Sequence, residues 1–292
     1  MDRCHITKSI LSITSPGTHL AVGEDEPARD IARKCNLFAA DVKRRRPDRF
    51  GYWATLPLPD VEGSLAEIAY AFDELQADGI GILTNHHGIY LGDAKFDPVF
   101  AELNRRKATV FIHPTIPCSA HGDTLQIAIP LRSFPPGICE YFFEEVRVVL
   151  NLFASKTVTR YPDVTFIIPH AGGALPPVIE RFSCFGTQVF GGKEEMSSDD
   201  IKKTLKKQFF FDLSGFPLPD QIHGLLRLVD PSRLLFGSDY PYIPTRTGIS
   251  LAEKMDRELV GAIEDEEDRK DVYIRNAQKL LSKTSSLAPS SA

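Results

Sequence analysis

The sequence predicts an α/β fold in which a parallel sheet is covered by helices. Three observations point there: short β-rich runs recur, helix-patterned stretches separate them, and several runs are apolar nearly throughout. Lack of polar alternation marks strands buried on both faces, and VTFIIPH (164–170) and RLLFGSD (233–239) are of this kind.

In order, the expected strands are 7–14, 49–58, 79–85, 108–113, 164–170, 208–214 and 234–239. Helices are expected at 26–45, 64–77, 97–106, 139–154, 174–182, 220–228, 250–259 and 265–281, where apolar residues return at helical spacing, clearest in LAEIAYAFDELQ. No repeat or linker divides the chain, so residues 1–281 are expected to form one domain. The Ser/Ala/Pro-rich tail 282–292 is expected to be disordered.

Seven strands are one short of a closed (β/α)8 barrel. The first begins almost at Met1, so the pattern fits either an open doubly wound sheet or a barrel without its first βα unit. A glycine fingerprint for dinucleotide phosphates is absent, which favours the barrel.

With 292 residues, 42% hydrophobic and 25% charged, the composition is that of a globular protein. A net charge of −5 offers no basic excess for nucleic acid. The basic run Lys43-Arg44-Arg45-Arg46 reads as a solvated helix end. Five widely spaced cysteines without a CxxC argue for a reducing compartment, and with no signal peptide or membrane-length apolar run the expected location is cytosolic.

In a barrel the chemistry sits at the C-terminal strand ends. The polar residues expected there are Ser15, Thr55, Asn85, His113, His170, Asp212, Ser214 and Asp239. Three of them close apolar runs: His113 in VFIHPT, His170 in FIIPHAGG and Asp239 in LFGSDYP. A core histidine bonded to its neighbours is the plain alternative for each imidazole, but two imidazoles and a carboxylate at strand ends suit a divalent cation such as zinc. His86-His87 is a weaker site candidate. His5, His19, His121 and His223 read as surface or capping residues. No G-x-S-x-G elbow is present, and no cysteine has a nucleophile's surroundings.

These segments resemble the decarboxylase branch of the amidohydrolase superfamily, which includes aminocarboxymuconate semialdehyde, resorcylate, salicylate and methylsalicylate decarboxylases. The resemblance runs from about Met1 to Leu281. It is strongest in SILSITSPGTHL, GYWATLPLP, FIHPT, RYPDVTFIIPHAGG and LLFGSDYPY. The first two, with GIYLGD, look most like fungal 6-methylsalicylate decarboxylases.

The resemblance implies a distorted (β/α)8 TIM-type barrel and a divalent metal, zinc before manganese, held by His113 and Asp239. It gives His170 and Asp239 catalytic roles. It places Arg181 where some relatives reach a neighbouring subunit to hold a substrate carboxylate, hence an expected homodimer. A first-strand His-x-His or Glu-x-His ligand pair is part of the family pattern and is not found here. The implied reaction is non-oxidative decarboxylation of a small ortho-hydroxy aromatic acid, such as 6-methylsalicylate to m-cresol and carbon dioxide in polyketide secondary metabolism. Metal-assisted hydrolysis of a lactone or amide is the rival reading, and an inactive truncated relative is the third.

Overall fold

A computed structural model describes residues 1–121, 124–185 and 197–285. The chain forms two compact units, one built on Thr7–Phe166 and the other on Met1–Ile6 with Ile167–Ser282.

The larger unit runs β1 (Ser9–Leu11), α1 (Asp25–Arg45), β2 (Phe50–Thr55), α2 (Val61–Asp73), β3 (Gly79–Leu83), a hairpin of β4 (Asn85–His86) and β5 (Ile89–Tyr90), α3 (Asp97–Arg105) and β6 (Thr109–His113). A second hairpin, β7 (Cys118–His121) and β8 (Thr124–Ile127), precedes α4 (Glu140–Ala154), α5 (Thr157–Arg160) and the start of β9 (Thr165–Ile168). Its sheet has the order β1-β2-β3-β6, followed by β9. The β1–β2, β2–β3 and β3–β6 ladders are parallel, with Ile10 opposite Gly51, Ala54 opposite Ile80 and Ile82 opposite Ile112. Tyr52, Ala54, Ile80, Val110 and Ile112 are buried, as two-sided burial of such strands demands.

Local chemistry fixes the helices. Asp60 caps α2 by accepting from the Gly63 amide at 3.0 Å, and Arg29 from α1 binds the same carboxylate. The basic end of α1 is solvated and paired: Arg44 and Arg45 meet Asp41, and Lys43 reaches Asp78 at 2.8 Å.

The smaller unit takes the end of β9 onward to α6 (Pro176–Cys184), α7 (Ser198–Gln208), β10 (Phe209–Asp212), α8 (Gln221–Leu225), β11 (Leu234–Leu235), α9 (Thr245–Ala262) and α10 (Glu266–Lys270). A π-helical turn, Asp271–Arg275, leads into α11 (Asn276–Ser285). Strand β10 lies between β9 and β11 and is parallel to β11. Asn276 at the start of α11 donates to the carbonyls of Pro231 and Leu234, both at 2.9 Å, tying this helix to β11.

All seven expected strands are present, but shorter. The run expected to continue to Asp239 leaves the ladder after Leu235, where the Phe236 amide turns to the Val272 carbonyl. Helices α5 and α7 and the two hairpins were not expected. The signal for α7 was present: Ser197 caps it from the Asp200 amide, and Ile201 and Leu205, one turn apart, are its buried face. Helix α11 continues to Ser285, past the start of the expected tail, and residues 286–292 lie outside the described residues.

Strand β2 depends on one buried amide. Asn36 donates to the Thr55 carbonyl at 2.9 Å and to Glu67 at 2.8 Å, and accepts from the Thr55 amide at 2.8 Å. Replacing it strands three buried polar groups, each costing about 1–3 kcal/mol when unpaired. Asn36→Ala should therefore lower unfolding free energy in urea by at least about 2 kcal/mol, whereas a loss under about 0.5 kcal/mol would contradict this role.

Candidate active site at the strand ends

In the larger unit β6 ends on His113, whose side chain is buried. Its Nδ1 lies 2.6 Å from the Pro114 carbonyl, so Nδ1 carries the proton and donates. Nε2 then holds the lone pair, 3.1 Å from the Thr14 hydroxyl. An imidazole oriented through Nδ1–H to a carbonyl is the form suited to ligation through Nε2.

One strand earlier, Thr84 and Asn85 follow β3. Both donate to Glu144 of α4, at 3.0 and 2.8 Å, and Tyr90 donates to its other oxygen at 2.5 Å. Arg147 supplies a cation at 2.9 Å. This fully buried carboxylate pins the β4–β5 hairpin, and with it His86 and His87. Burial, reinforced by the Glu144 carboxylate, pushes the Tyr90 phenol well above its ordinary pKa, so it remains a donor.

The loops after β1, β2, β3 and β6 surround a cavity of about 240 Å³. Ser15, Thr55, Asn85 and Thr115 line it together with His19, His86, His87 and several leucines and isoleucines. His19, expected at the surface, is buried there, with Nε2 2.8 Å from Asp25 and Nδ1 2.9 Å from His87 Nε2. Burial holds the His86 imidazole down at about 3, and desolvation lowers His87 as well.

The smaller unit carries the other candidates. After β9 the chain turns sharply at His170, Ala171, Gly172 and Gly173, all four with positive φ (52°, 53°, 77° and 57°). Left-handed backbone is unfavourable for the two non-glycine residues. It is held by the His170 amide donating to Asp212 at 3.3 Å, and by Gln221 donating to the carbonyls of His170 at 2.7 Å and Gly173 at 2.9 Å. Asp212, at the end of β10, also accepts from the Ser214 hydroxyl at 2.5 Å and amide at 3.0 Å.

Asp239, too, has a left-handed φ, of 51°. Burial raises its pKa above the usual carboxylate range, against the charge of His170, which lowers it, and with that of Asp212, which raises it. Asp239, His170 and Asp212 thus act on one another electrostatically. Arg181 is exposed on α6, its guanidinium 4.4 Å over the Phe185 ring. Among the described residues no three His, Cys, Asp or Glu side chains gather as a metal cage.

Residues 1–283 match the family model described as Amidohydrolase. The chain belongs to the amidohydrolase family. It is 36% identical over 254 residues to Decarboxylase macB of Penicillium terrestre, covering 83% of this chain and 73% of the relative. It is also 36% identical to 6-methylsalicylic acid decarboxylase acuB of Aspergillus aculeatus, over 82% of this chain and 72% of that protein. Among solved structures, the 5-carboxyvanillate decarboxylase of Novosphingobium aromaticivorans, complexed with manganese and a nitrobenzoic acid, superposes with a TM-score of 0.81. It is 26% identical, with 96% of this chain and 77% of that one covered. The amidohydrolase fold accounts for the parallel strands and for the polar residues at their ends.

Gly215 explains how His170 is seated. Its φ is +74°, and a Cβ there would stand 2.8 Å from His170 Cδ2. Gly215→Ala should displace the imidazole and cost about 1–3 kcal/mol, through left-handed strain and overpacking. Thermal melting together with the His170 side-chain NMR shifts checks this; wild-type stability with unmoved shifts would contradict it.

Proposed function

We propose that this amidohydrolase is a carboxy-lyase that decarboxylates a small ortho-hydroxy aromatic acid without oxidation, with 6-methylsalicylate, giving m-cresol and carbon dioxide, as the best substrate. The observation that carries the reading is Asp239: a partly buried carboxyl with a raised pKa beside His170, in a chain 36% identical to a 6-methylsalicylic acid decarboxylase.

The chemistry is a proton exchange at carbon. A proton delivered to the ring carbon bearing the carboxylate interrupts aromaticity. Breaking the bond to the carboxylate then expels carbon dioxide, and its electron pair returns to the ring. Charge balances: one carboxylate and one proton give one arene and one carbon dioxide. Asp239 is suited to deliver the proton, because its raised pKa keeps more of it protonated toward neutral pH. His170, interacting with it electrostatically, is suited to return the proton. Arg181, exposed and stacked on Phe185, is free of the core and suits a substrate carboxylate in a partner copy of a homodimer.

A divalent metal belongs to this reading and would supply Lewis acidity when bound. His113 and Asp239 are the residues that would donate to it, an imidazole and a carboxylate whose chemistry suits zinc at least as well as manganese. Zinc competition with a chromophoric chelator tests this: His113→Ala should weaken affinity at least about tenfold, and unchanged affinity would remove His113 from the donor set. All five cysteines are free, in keeping with a cytosolic location. Among the described residues no helix is long and apolar enough to cross a membrane.

With the full chain loaded with metal, 6-methylsalicylate should release carbon dioxide, and Asp239→Asn should reduce the rate about 10²–10⁴-fold. Absence of gas from every ortho-hydroxybenzoate, with hydrolysis of a lactone or amide instead, would replace this function by its hydrolytic rival.

A further inference from the structure

Glu144 takes no part in the proton chemistry, yet its carboxylate is completely buried, which demands a full set of donors. It has them. Thr84 and Asn85 donate to one oxygen at 3.0 and 2.8 Å, and Tyr90 and Arg147 to the other at 2.5 and 2.9 Å. A buried ion pair gains little over apolar packing of the same volume, so stability alone does not account for this cluster.

The remaining groups of Thr84 and Asn85 show where it acts. The Thr84 hydroxyl hydrogen is committed to Glu144, and its oxygen accepts from the Thr115 amide at 3.2 Å. Asn85 donates its second amide hydrogen to the Ile116 carbonyl at 3.2 Å, while its oxygen accepts from the Gly88 amide at 3.0 Å. Both residues therefore hold the chain as it leaves β6, just past His113. The Thr115 N–H and the Pro114 carbonyl belong to one planar trans peptide and point in opposite directions. With the N–H turned to Thr84, the carbonyl turns to His113 and accepts from its Nδ1 at 2.6 Å. The Thr84 amide, donating to the His113 carbonyl at 3.0 Å, closes the frame.

We propose that Glu144, acting through Thr84 and the Pro114–Thr115 peptide, is a positioning residue that keeps the His113 proton on Nδ1 and its lone pair on Nε2. Without the Glu144 acceptor the Thr84 hydroxyl is free to rotate, the peptide plane loses its anchor, and either ring nitrogen can carry the proton. Tyr90 and Arg147 bond the other carboxylate oxygen and lie off this path. The proposal rests on the metal-dependent decarboxylase reading only for the use made of Nε2; the tautomer belongs to the chain itself.

Nitrogen-15 NMR of the metal-free full chain, at a pH where the ring is neutral, tests it together with zinc affinity from chelator competition. Wild type should show a His113 ring protonated at Nδ1. Thr84→Val, which keeps the shape and removes both bonds, and Glu144→Gln should each mix the two tautomers and weaken zinc binding about tenfold, the usual effect of losing a group behind a ligand. Thr84→Ser should restore both readouts. Tyr90→Phe takes one bond from the same carboxylate, so it should lower stability while leaving the His113 shifts and the zinc affinity as in wild type. Thr84→Val carries the test if Glu144→Gln does not fold. Wild-type shifts in folded Thr84→Val, or equal changes in Tyr90→Phe, would overturn the proposal. Carbon dioxide release with a tautomer indifferent to Thr84 defeats this assignment alone. The expected tautomer changes, without carbon dioxide from any ortho-hydroxybenzoate, leave it standing and remove the decarboxylase reading.

Discussion

A strand buried on both faces has to surrender its hydrogen-bond ladder where it ends, and the polar groups released there need partners away from water. Much of this chain's polar architecture answers that demand. Asn36 completes the backbone of Thr55 after β2, and Glu144 gathers Thr84, Asn85 and Tyr90 after β3. The Pro114 carbonyl takes the His113 ring after β6, and Asp212 receives Ser214 and the His170 amide after β10. Side chains that satisfy strand ends are thereby immobilised at one end of each strand, which is what a preorganised site requires.

The same places store backbone strain. His87, His170, Ala171 and Asp239 all have left-handed φ without being glycine. Each costs on the order of 1 kcal/mol or more and persists because its surroundings over-determine it. Gln221 and Asp212 hold the His170 turn, and Gly215 makes room for its ring. Glu144 pins the hairpin bearing His87. His5, Gln76, Lys107, Lys156 and Phe216 share this backbone, so the strain alone marks no site; at His87, His170 and Asp239 it coincides with side chains able to do chemistry.

The strands were legible because two-sided burial writes itself as apolar runs, and His113, His170 and Asp239 stood out as polar residues closing such runs. Strand lengths were less legible: the apolar run through Leu234, Leu235 and Phe236 reads as strand, yet the Phe236 amide donates to the Val272 carbonyl instead of extending the ladder. His19 was not legible. It lies in a loop, and only the fold brings Asp25 and His87 to its two nitrogens. Glu144 is hidden likewise, since a glutamate on an amphipathic helix reads as solvated until its four partners are seen. The hairpins are short two- to four-residue pairs, below what periodicity resolves.

Protonation of carbon at the position that loses its carboxylate is the central claim made for Asp239 and His170. Its most direct measurement is turnover of 6-methylsalicylate by the metal-loaded protein in deuterium oxide, with the product read by NMR. The account predicts m-cresol carrying one deuterium, at the carbon that bore the carboxylate. m-Cresol formed with protium at that carbon in fully deuterated solvent would contradict proton delivery from an exchangeable group such as the Asp239 carboxyl.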